Sequence, residues 1–187
     1  DILPMVLRHL GRDGDSANPD DYKAVAEAFK QIRQHIRTFD NVNFFNAIPN
    51  KELCMINNWS GDYATANARA AEAGIQLNLS YHVPKTGSPA WFDIWCIPAD
   101  AKHVDNAHKF INYMMEPEVI AKCTNYTNYA NVNLAADKFV DPAILADPAV
   151  YPDAELKKRL WTQKSMSSDL ERARTRAWST IKTGSPS

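Results

Sequence analysis

The feature that most constrains this chain is a proline- and glycine-rich loop that runs into a short aromatic segment. Residues 84–98 read PKTGSPAWFDIWCIP, in which proline and glycine mark a turn and the aromatic and β-branched residues favour a strand. Along such a strand Trp91, Asp93 and Trp95 share one face. An acid between two tryptophans suits a cation, because indole faces attract positive charge and a carboxylate pairs with it. Alternatively, Asp93 is a surface or hinge residue that pairs with a nearby Lys or Arg.

The composition predicts an ordinary globular protein with a hydrophobic core. The chain has 187 residues, of which 45% are hydrophobic, and a formal net charge of -1. A charge this close to zero argues against nucleic-acid binding, and no stretch approaches the roughly 20 apolar residues that span a bilayer. The residues from Asp1 to Leu7 resemble the beginning of a helix inside a fold that starts earlier in the sequence. We therefore expect the N-terminal part of a longer protein to be missing from this chain.

Neither the cysteines nor the histidines form a recognisable chemical motif. Cys54, Cys96 and Cys123 lack metal-site spacing, allow at most one internal disulfide, and also fit small buried apolar positions. The five histidines are scattered, and none forms a pair of the HExxH type. We therefore expect no metal site, no cofactor and no catalytic residues of the Ser/His/Asp kind.

Periodicity and turn residues predict helices interspersed with strands. Helices are predicted over 2–10, from Asn18-Pro19 onward, and over 64–73, 101–115, 117–124, 154–161 and 168–182. Strands are predicted over 52–58, 77–83 and 91–96. This order predicts an α/β fold with a mixed sheet and flanking helices.

Two stretches have the character of ligand-binding segments. The strand 52–58 leads through WSGDY at 59–63 into the helix 64–73. Ligands bind at such junctions in α/β proteins, because free helix amides and the end of the sheet meet there. The second stretch, NYTNYANVN at 125–133, fits either a tyrosine-rich loop or the wall of a ligand site.

The chain resembles the C-terminal half of the periplasmic polyamine-binding proteins, the putrescine and spermidine receptors of ABC transporters in Gram-negative bacteria. The resemblance runs over nearly the whole chain and depends on an ordered set of short motifs. These are NPDDY at 18–22, ELC at 52–54, WSGD at 59–62, VPKTG at 83–87, AWFD at 90–93, IPADA at 97–101, YANVN at 129–133 and RARTRAWSTIKTG at 172–184.

The resemblance implies a fold like that of the type II periplasmic binding proteins, in which two α/β lobes close on the ligand. It assigns 1–92 to most of the C-terminal lobe and 93–150 to a segment that crosses to the N-terminal lobe and packs there. Residues 151–187 then return to the C-terminal lobe. The remaining part of the two-lobed fold would come from a missing N-terminal segment or from a separate chain.

The resemblance also implies a function. The protein would bind putrescine or spermidine in a cleft between the lobes, in the periplasm, and deliver it to the permease subunits of an ABC importer without catalysing a reaction. A polyamine needs aromatic walls for its methylene groups and carboxylates for its ammonium groups. The residue types in the two candidate stretches agree with that requirement.

The resemblance gives the candidate ligand residues separate roles. Trp91 would be an aromatic wall, and Asp93 would pair with an ammonium group. Trp59, Ser60 and Asp62 would face the cleft from the turn between strand and helix. These five residues include the aromatic rings and the carboxylates that the bound amine would require.

Two further positions are expected at the ligand. Trp161 matches a position at which the family places an aromatic residue in the cleft. Asn125 stands where family members often carry an acid, so one carboxylate fewer would hold the second ammonium group. Two other functions stay open: a related receptor for another cationic or neutral ligand, and a hydrolase that uses Asp62 and Asp93 as an acid/base pair.

Overall fold

The computed structural model describes residues 2–42 and 44–184, and this part of the chain is rich in helix. The α-helices are α1 (Ile2–His9), α2 (Pro19–Ile32), α3 (Phe44–Ala47), α4 (Ser60–Glu72), α5 (Val104–Met114), α6 (Pro117–Thr127), α7 (Pro142–Leu145), α8 (Ala154–Lys157) and α9 (Ser168–Thr183). The other elements are the 3₁₀ helices Arg33–His35 and Leu134–Phe139 and the strands β1 (Ser88–Pro89) and β2 (Leu160–Trp161). Within these described ranges, no helix has both the length and the apolar character needed to cross a membrane.

Helix α2 begins at the predicted cap. The Asn18 side chain accepts a hydrogen bond from the Asp20 amide at 3.1 Å, and Pro19 occupies the first turn, where its missing N–H costs nothing. The inward side chains Tyr22 and Val25 are almost fully buried. They belong to one hydrophobic cluster with residues of α1 and α9, and burial of each large apolar side chain there contributes about 1.5–3 kcal/mol.

Strands β1 and β2 pair in parallel and hold the proline- and glycine-rich loop. The amide of Ser88 donates to the carbonyl of Arg159 at 3.2 Å, and the amide of Ala90 donates to that of Trp161 at 2.7 Å. The Arg159 guanidinium also donates to the Pro84 carbonyl at 3.2 Å. Hydrogen bonds between distant parts of the chain therefore fix the predicted turn.

Buried apolar residues join α3 to α4 in one cluster and α6 to the 3₁₀ helix that follows it in another. The buried members of the first are Phe44, Ile48 and Ala66, and those of the second are Ala121, Ala136 and Val140. Alanine at the contacts lets the helix backbones approach closely. The first cluster fixes α4, which carries the predicted junction residues at its start.

The chain divides into two compact units. The first unit consists of the segment up to Asn41, the loop Val83–Trp91 and the segment from Glu155 onward. The second consists of Val42–His82 and Phe92–Ala154. Each unit has its own buried cluster or clusters, because all the members of each cluster described above come from one unit.

The assignment of 1–92, 93–150 and 151–187 to lobes stays a prediction. The unit boundaries after Trp91 and after Ala154 lie close to the two predicted boundaries. The segment Val42–His82, however, packs with the second unit. A lobe formed from 1–92 would therefore draw on both units.

The prediction of strands at 52–58, 77–83 and 91–96 is wrong for the described residues. A strand requires backbone hydrogen bonds to a neighbour, and the parallel pair of β1 with β2 includes none of these segments. Side chains in 77–83 nevertheless alternate between half-buried and exposed, and Leu77 and Leu79 pack on the α3–α4 cluster. The described part of the chain thus has a small parallel sheet in place of the predicted mixed one.

Most of the predicted helices are confirmed, with two differences. Helix α4 begins at Ser60 rather than at residue 64, so the WSGDY motif is part of the helix start. The helix predicted over 154–161 ends at Lys157, and Leu160–Trp161 forms β2. Pairing with β1 determines the conformation there, and a local pattern cannot reveal a partner so far away in the sequence.

Candidate functional site

The start of α4 brings together three of the predicted ligand residues. Trp59 precedes the helix in an extended conformation, with φ of -77° and ψ of 157°, and Ser60 is the first helical residue. The Trp59 side chain is 41% exposed, whereas Ser60 and Asp62 are half-buried. The helix therefore presents an indole, a hydroxyl and a carboxylate within one turn of each other.

Tyr129 completes this group. It belongs to the stretch 125–133, which the sequence offers as a tyrosine-rich loop or a ligand wall, but it has no individual role among the predicted ligand residues. Its hydroxyl donates to Oδ1 of Asp62 at 3.3 Å. Its ring lies against the backbone of Gly61, where an added Cβ would come within 2.3 Å of the ring. A glycine in the first turn of a helix is the sequence signal that could have indicated such a close approach, because glycine costs a helix stability unless packing requires it.

Burial changes the protonation of this pair. Desolvation raises the pKa of Asp62, and the hydrogen bond from Tyr129 partly opposes that change. Desolvation likewise raises the pKa of Tyr129 to about 12, and the neighbouring Asp62 carboxylate adds to the effect. Within the ranges that the structure describes, no Lys or Arg forms an ion pair with Asp62. Asp62 is thus a half-buried carboxylate without a counter-charge among the described residues.

Two further tyrosines extend the aromatic surface beside this carboxylate. The rings of Tyr63 and Tyr81 have centroids 6.2 Å apart and planes tilted by 41°. Burial raises the pKa of Tyr81, and the charge of an ionised Tyr81 would in turn raise the pKa of Tyr129. The start of α4 therefore combines one acid with a group of aromatic rings.

The raised pKa of Tyr129 gives a pH prediction. The phenol should ionise with a pKa of about 12 in the folded protein, rather than with its ordinary pKa of 10.0. Because folding raises this pKa, the neutral phenol of Tyr129 contributes to the stability of the folded protein. This contribution is fully present below a pH of about 10 and is lost as the pH rises towards 12. The difference between absorbance titrations of the wild type and Tyr129→Phe isolates this phenol. Asp62→Asn should lower its pKa, and an unchanged pKa would contradict the pairing.

Trp91 and Asp93 lie on opposite sides of a unit boundary in the sequence, which falls after Trp91. Trp91 ends the loop of the first unit and is 55% exposed. Asp93 belongs to the second unit and is exposed, and no described residue forms a hydrogen bond or an ion pair with it. Two residues further on, the edge of the Trp95 ring contacts Phe110, with centroids 5.1 Å apart. The ligand roles of Trp91 and Asp93 stay predictions.

Trp161 is held by neighbours within the first unit. The Arg8 guanidinium lies over its ring, with Cζ 3.8 Å from the ring centroid. An added Cβ at Gly14 would lie 3.1 Å from the same ring. The indole N–H is buried, and no described residue accepts a hydrogen bond from it. A protein cation therefore already occupies one face of this ring, and the predicted ligand role of Trp161 stays a prediction.

The amide of Asn125 is engaged with the backbone. Its Nδ2 donates to the carbonyl of Phe139 at 3.1 Å, and its Oδ1 accepts the amide of Asp141 at 2.9 Å. These two bonds tie α6 to the chain just before α7. The structure therefore gives Asn125 a structural role, whereas its role at the ligand stays a prediction.

The replacement Asn125→Asp should lower the free energy of unfolding by about 1 kcal/mol, because a carboxylate oxygen would face the Phe139 carbonyl in place of a donor. Urea denaturation measures the change. Asn78→Asp is the matched control, since Asn78 is exposed and its side chain forms no hydrogen bond with a described residue. Its effect should stay within about 0.5 kcal/mol, and equal losses in the two variants would contradict the structural role.

The cysteines and acids add no metal site within the described residues. No group of three or more His, Cys, Asp or Glu residues there could hold a metal ion. All three thiols are free. The interpretation as buried apolar residues is wrong for Cys54 and Cys96, which are exposed because the strands predicted around them have no neighbour to cover them.

Comparison with known proteins gives consistent matches. A family model described as bacterial extracellular solute-binding protein matches residues 5–152. The putrescine-binding periplasmic protein PotF of Escherichia coli is 37% identical over 98% of this chain and 50% of that protein. The spermidine/putrescine-binding periplasmic protein of Salmonella typhimurium is 31% identical over 86% of this chain and 45% of that protein. The chain spans about half the length of the curated relatives it matches.

Solved structures agree on the fold. A putative spermidine/putrescine ABC transporter protein from Listeria monocytogenes superposes with a TM-score of 0.85 at 24% identity. The match covers 98% of this chain and 55% of that one. It confirms the predicted fold class, namely one part of a two-lobed fold like that of the type II periplasmic binding proteins.

Proposed function

Because this chain belongs to the family of bacterial extracellular solute-binding proteins, we propose that it forms part of a receptor for the polyamines putrescine or spermidine. The complete receptor, meaning this chain together with the half that its curated relatives carry in addition, is the functional unit. That half is a further segment of the same polypeptide or a separate chain. The receptor works in the periplasm, catalyses no reaction and delivers its ligand to the permease subunits of an ABC importer.

The observation that carries this proposal is the environment of Asp62. This carboxylate is half-buried and accepts a hydrogen bond from Tyr129, but no cation among the described residues pairs with it. A partly buried charge without a partner is costly. An ammonium group of a bound amine would supply the missing charge, and the indole of Trp59 beside it would attract the same cation and cover the methylene groups.

A second carboxylate supports a ligand with more than one ammonium group. Asp93 is exposed and unpaired among the described residues, and it follows the exposed indole of Trp91. Asp62 and Asp93 would each bind one ammonium group. The amide of Asn125 is already used by the backbone, so this position supplies no third charge.

A receptor for another cationic ligand is the second candidate. The neutral Asn125, at a position where the resemblance leads one to expect an acid, favours this alternative, because a site with fewer carboxylates holds a less highly charged ligand. The hydrolase alternative has no comparable support, since the relatives that this chain matches are named as binding proteins. The two receptor candidates differ in ligand and not in mechanism.

A thermal-unfolding screen of the complete receptor tests the proposal. Putrescine or spermidine at a concentration of roughly 100 times Kd should stabilise the protein by about 2.7 kcal/mol. Butane-1,4-diol, which has the carbon chain of putrescine without its charges, is the matched control and should have no effect. Stabilisation by amino acids or sugars, with none by polyamines, would contradict the proposal.

A further inference from the structure

The hydrogen bond from Tyr129 occupies part of the carboxylate on which the proposed function rests. The phenol donates to Oδ1 of Asp62 at 3.3 Å. Oδ2 accepts no hydrogen bond from the residues that the structure describes. The two oxygens of Asp62 are therefore not equivalent towards a ligand.

Gly61 is what allows this contact. The Tyr129 ring covers the backbone of Gly61 so closely that three of its carbons lie within 2.6 Å of the position of a Cβ. Any side chain at Gly61 would displace the ring, and the hydroxyl would move with it. Gly61 is thus a positioning residue that acts on Asp62 through Tyr129.

We propose that Tyr129 is a specificity-determining residue, which makes Asp62 select an alkylammonium group over a guanidinium group. A guanidinium binds a carboxylate best through two parallel N–H···O bonds, one to each oxygen. The phenol already uses one of the two acceptor positions of Oδ1, so a bidentate guanidinium would have to share that oxygen with it. The compact charge of an ammonium needs only Oδ2, which accepts no hydrogen bond from the described residues. This inference rests on the proposed function and names the end group of its ligand.

A pair of ligands with identical spacers tests the inference. Putrescine and 1,4-diguanidinobutane share a butane chain, and the second carries a guanidinium at both ends, so its orientation in the site does not matter. The complete receptor should bind putrescine more tightly. In Tyr129→Phe the ratio of the two dissociation constants should change by about tenfold in favour of the guanidinium ligand, because the guanidinium no longer shares Oδ1 with the phenol and its second charge-assisted hydrogen bond becomes stronger.

Calorimetric titration of both ligands into the wild type and the variant gives the ratio. Tyr129→Phe keeps the ring that packs on Gly61, so it tests the hydroxyl alone. Tyr126→Phe is the matched control, since Tyr126 is 88% exposed in the same stretch, and its ratio should equal that of the wild type. If Tyr129→Phe also has the wild-type ratio while putrescine still binds, the inference is overturned and the proposed function is not. If the wild type binds neither ligand, both are overturned.

The positioning role of Gly61 has its own readout. Gly61→Ala should move the phenol away from Asp62 and lower the pKa of Tyr129 from about 12 towards 10.0, and it should shift the ligand ratio in the same direction as Tyr129→Phe. In a Tyr129→Ala background there is no ring to displace, so Gly61→Ala should leave the ratio unchanged. A Tyr129 pKa that stays at its wild-type value in Gly61→Ala would overturn this role.

Discussion

Replacing Gly87 by alanine is expected to lower the free energy of unfolding by about 3 kcal/mol or more. Gly87 has φ of 90°, a conformation that L-residues with a side chain rarely adopt. An added Cβ would also lie 2.0 Å from the carbonyl oxygen of Arg159, the group that accepts the Ser88 amide between β1 and β2. The alanine methyl group can be accommodated only if the two strands separate.

Gly11→Ala is the matched control for this prediction. Gly11 lies in the same unit and has φ of 73°, but no atom lies within 4 Å of the position of its Cβ. Its replacement should therefore cost only the backbone strain, about 1–2 kcal/mol. Denaturant unfolding of both variants measures the difference, and equal losses would contradict the close approach of Gly87 to Arg159.

The replacement Asp93→Asn in the complete receptor is expected to weaken putrescine binding by about 100-fold. It removes the charge but keeps the size of the side chain, so that one ammonium group of the ligand would lose its partner on entering a partly dehydrated site. Isothermal titration calorimetry gives the affinity. The matched control is Asp100→Asn, which removes an exposed acid from the same unit and should leave the affinity unchanged.

If Asp93→Asn binds putrescine with the affinity of the wild type, Asp93 does not belong to the proposed site. The proposal would then depend on Asp62 alone, and a monoamine would bind as well as a diamine. The variant therefore separates a site with two charges from a site with one.

Local signals in the sequence predicted the helices well. The cap and proline that start α2, and the glycine that follows α9, act on neighbouring residues, so their effect is readable without the rest of the fold. Strands were less predictable, because a strand depends on a partner that can lie anywhere in the chain. The segment 91–96 has the composition of a strand but pairs with no described residue, while Leu160–Trp161 forms a strand by pairing with β1.

The candidate site could be predicted in part for the same reason. The motif WSGD identified Trp59, Ser60 and Asp62, which one helix turn brings together. Tyr129 comes from a distant part of the sequence, and its hydrogen bond to Asp62 depends on tertiary packing. Asn125 was predicted at the ligand, but its side chain forms hydrogen bonds to the backbone of Phe139 and Asp141. The sequence alone could not distinguish this structural role from ligand binding.

The most direct test of the account is a calorimetric titration of the complete receptor with putrescine, repeated with Asp62→Asn. The account predicts saturable binding of one putrescine per receptor. It also predicts a clear loss of affinity when the Asp62 carboxylate, which no described Lys or Arg pairs with, is removed. Absence of binding, or equal affinity in the wild type and Asp62→Asn, would contradict the claim that the start of α4 holds an ammonium group of a polyamine.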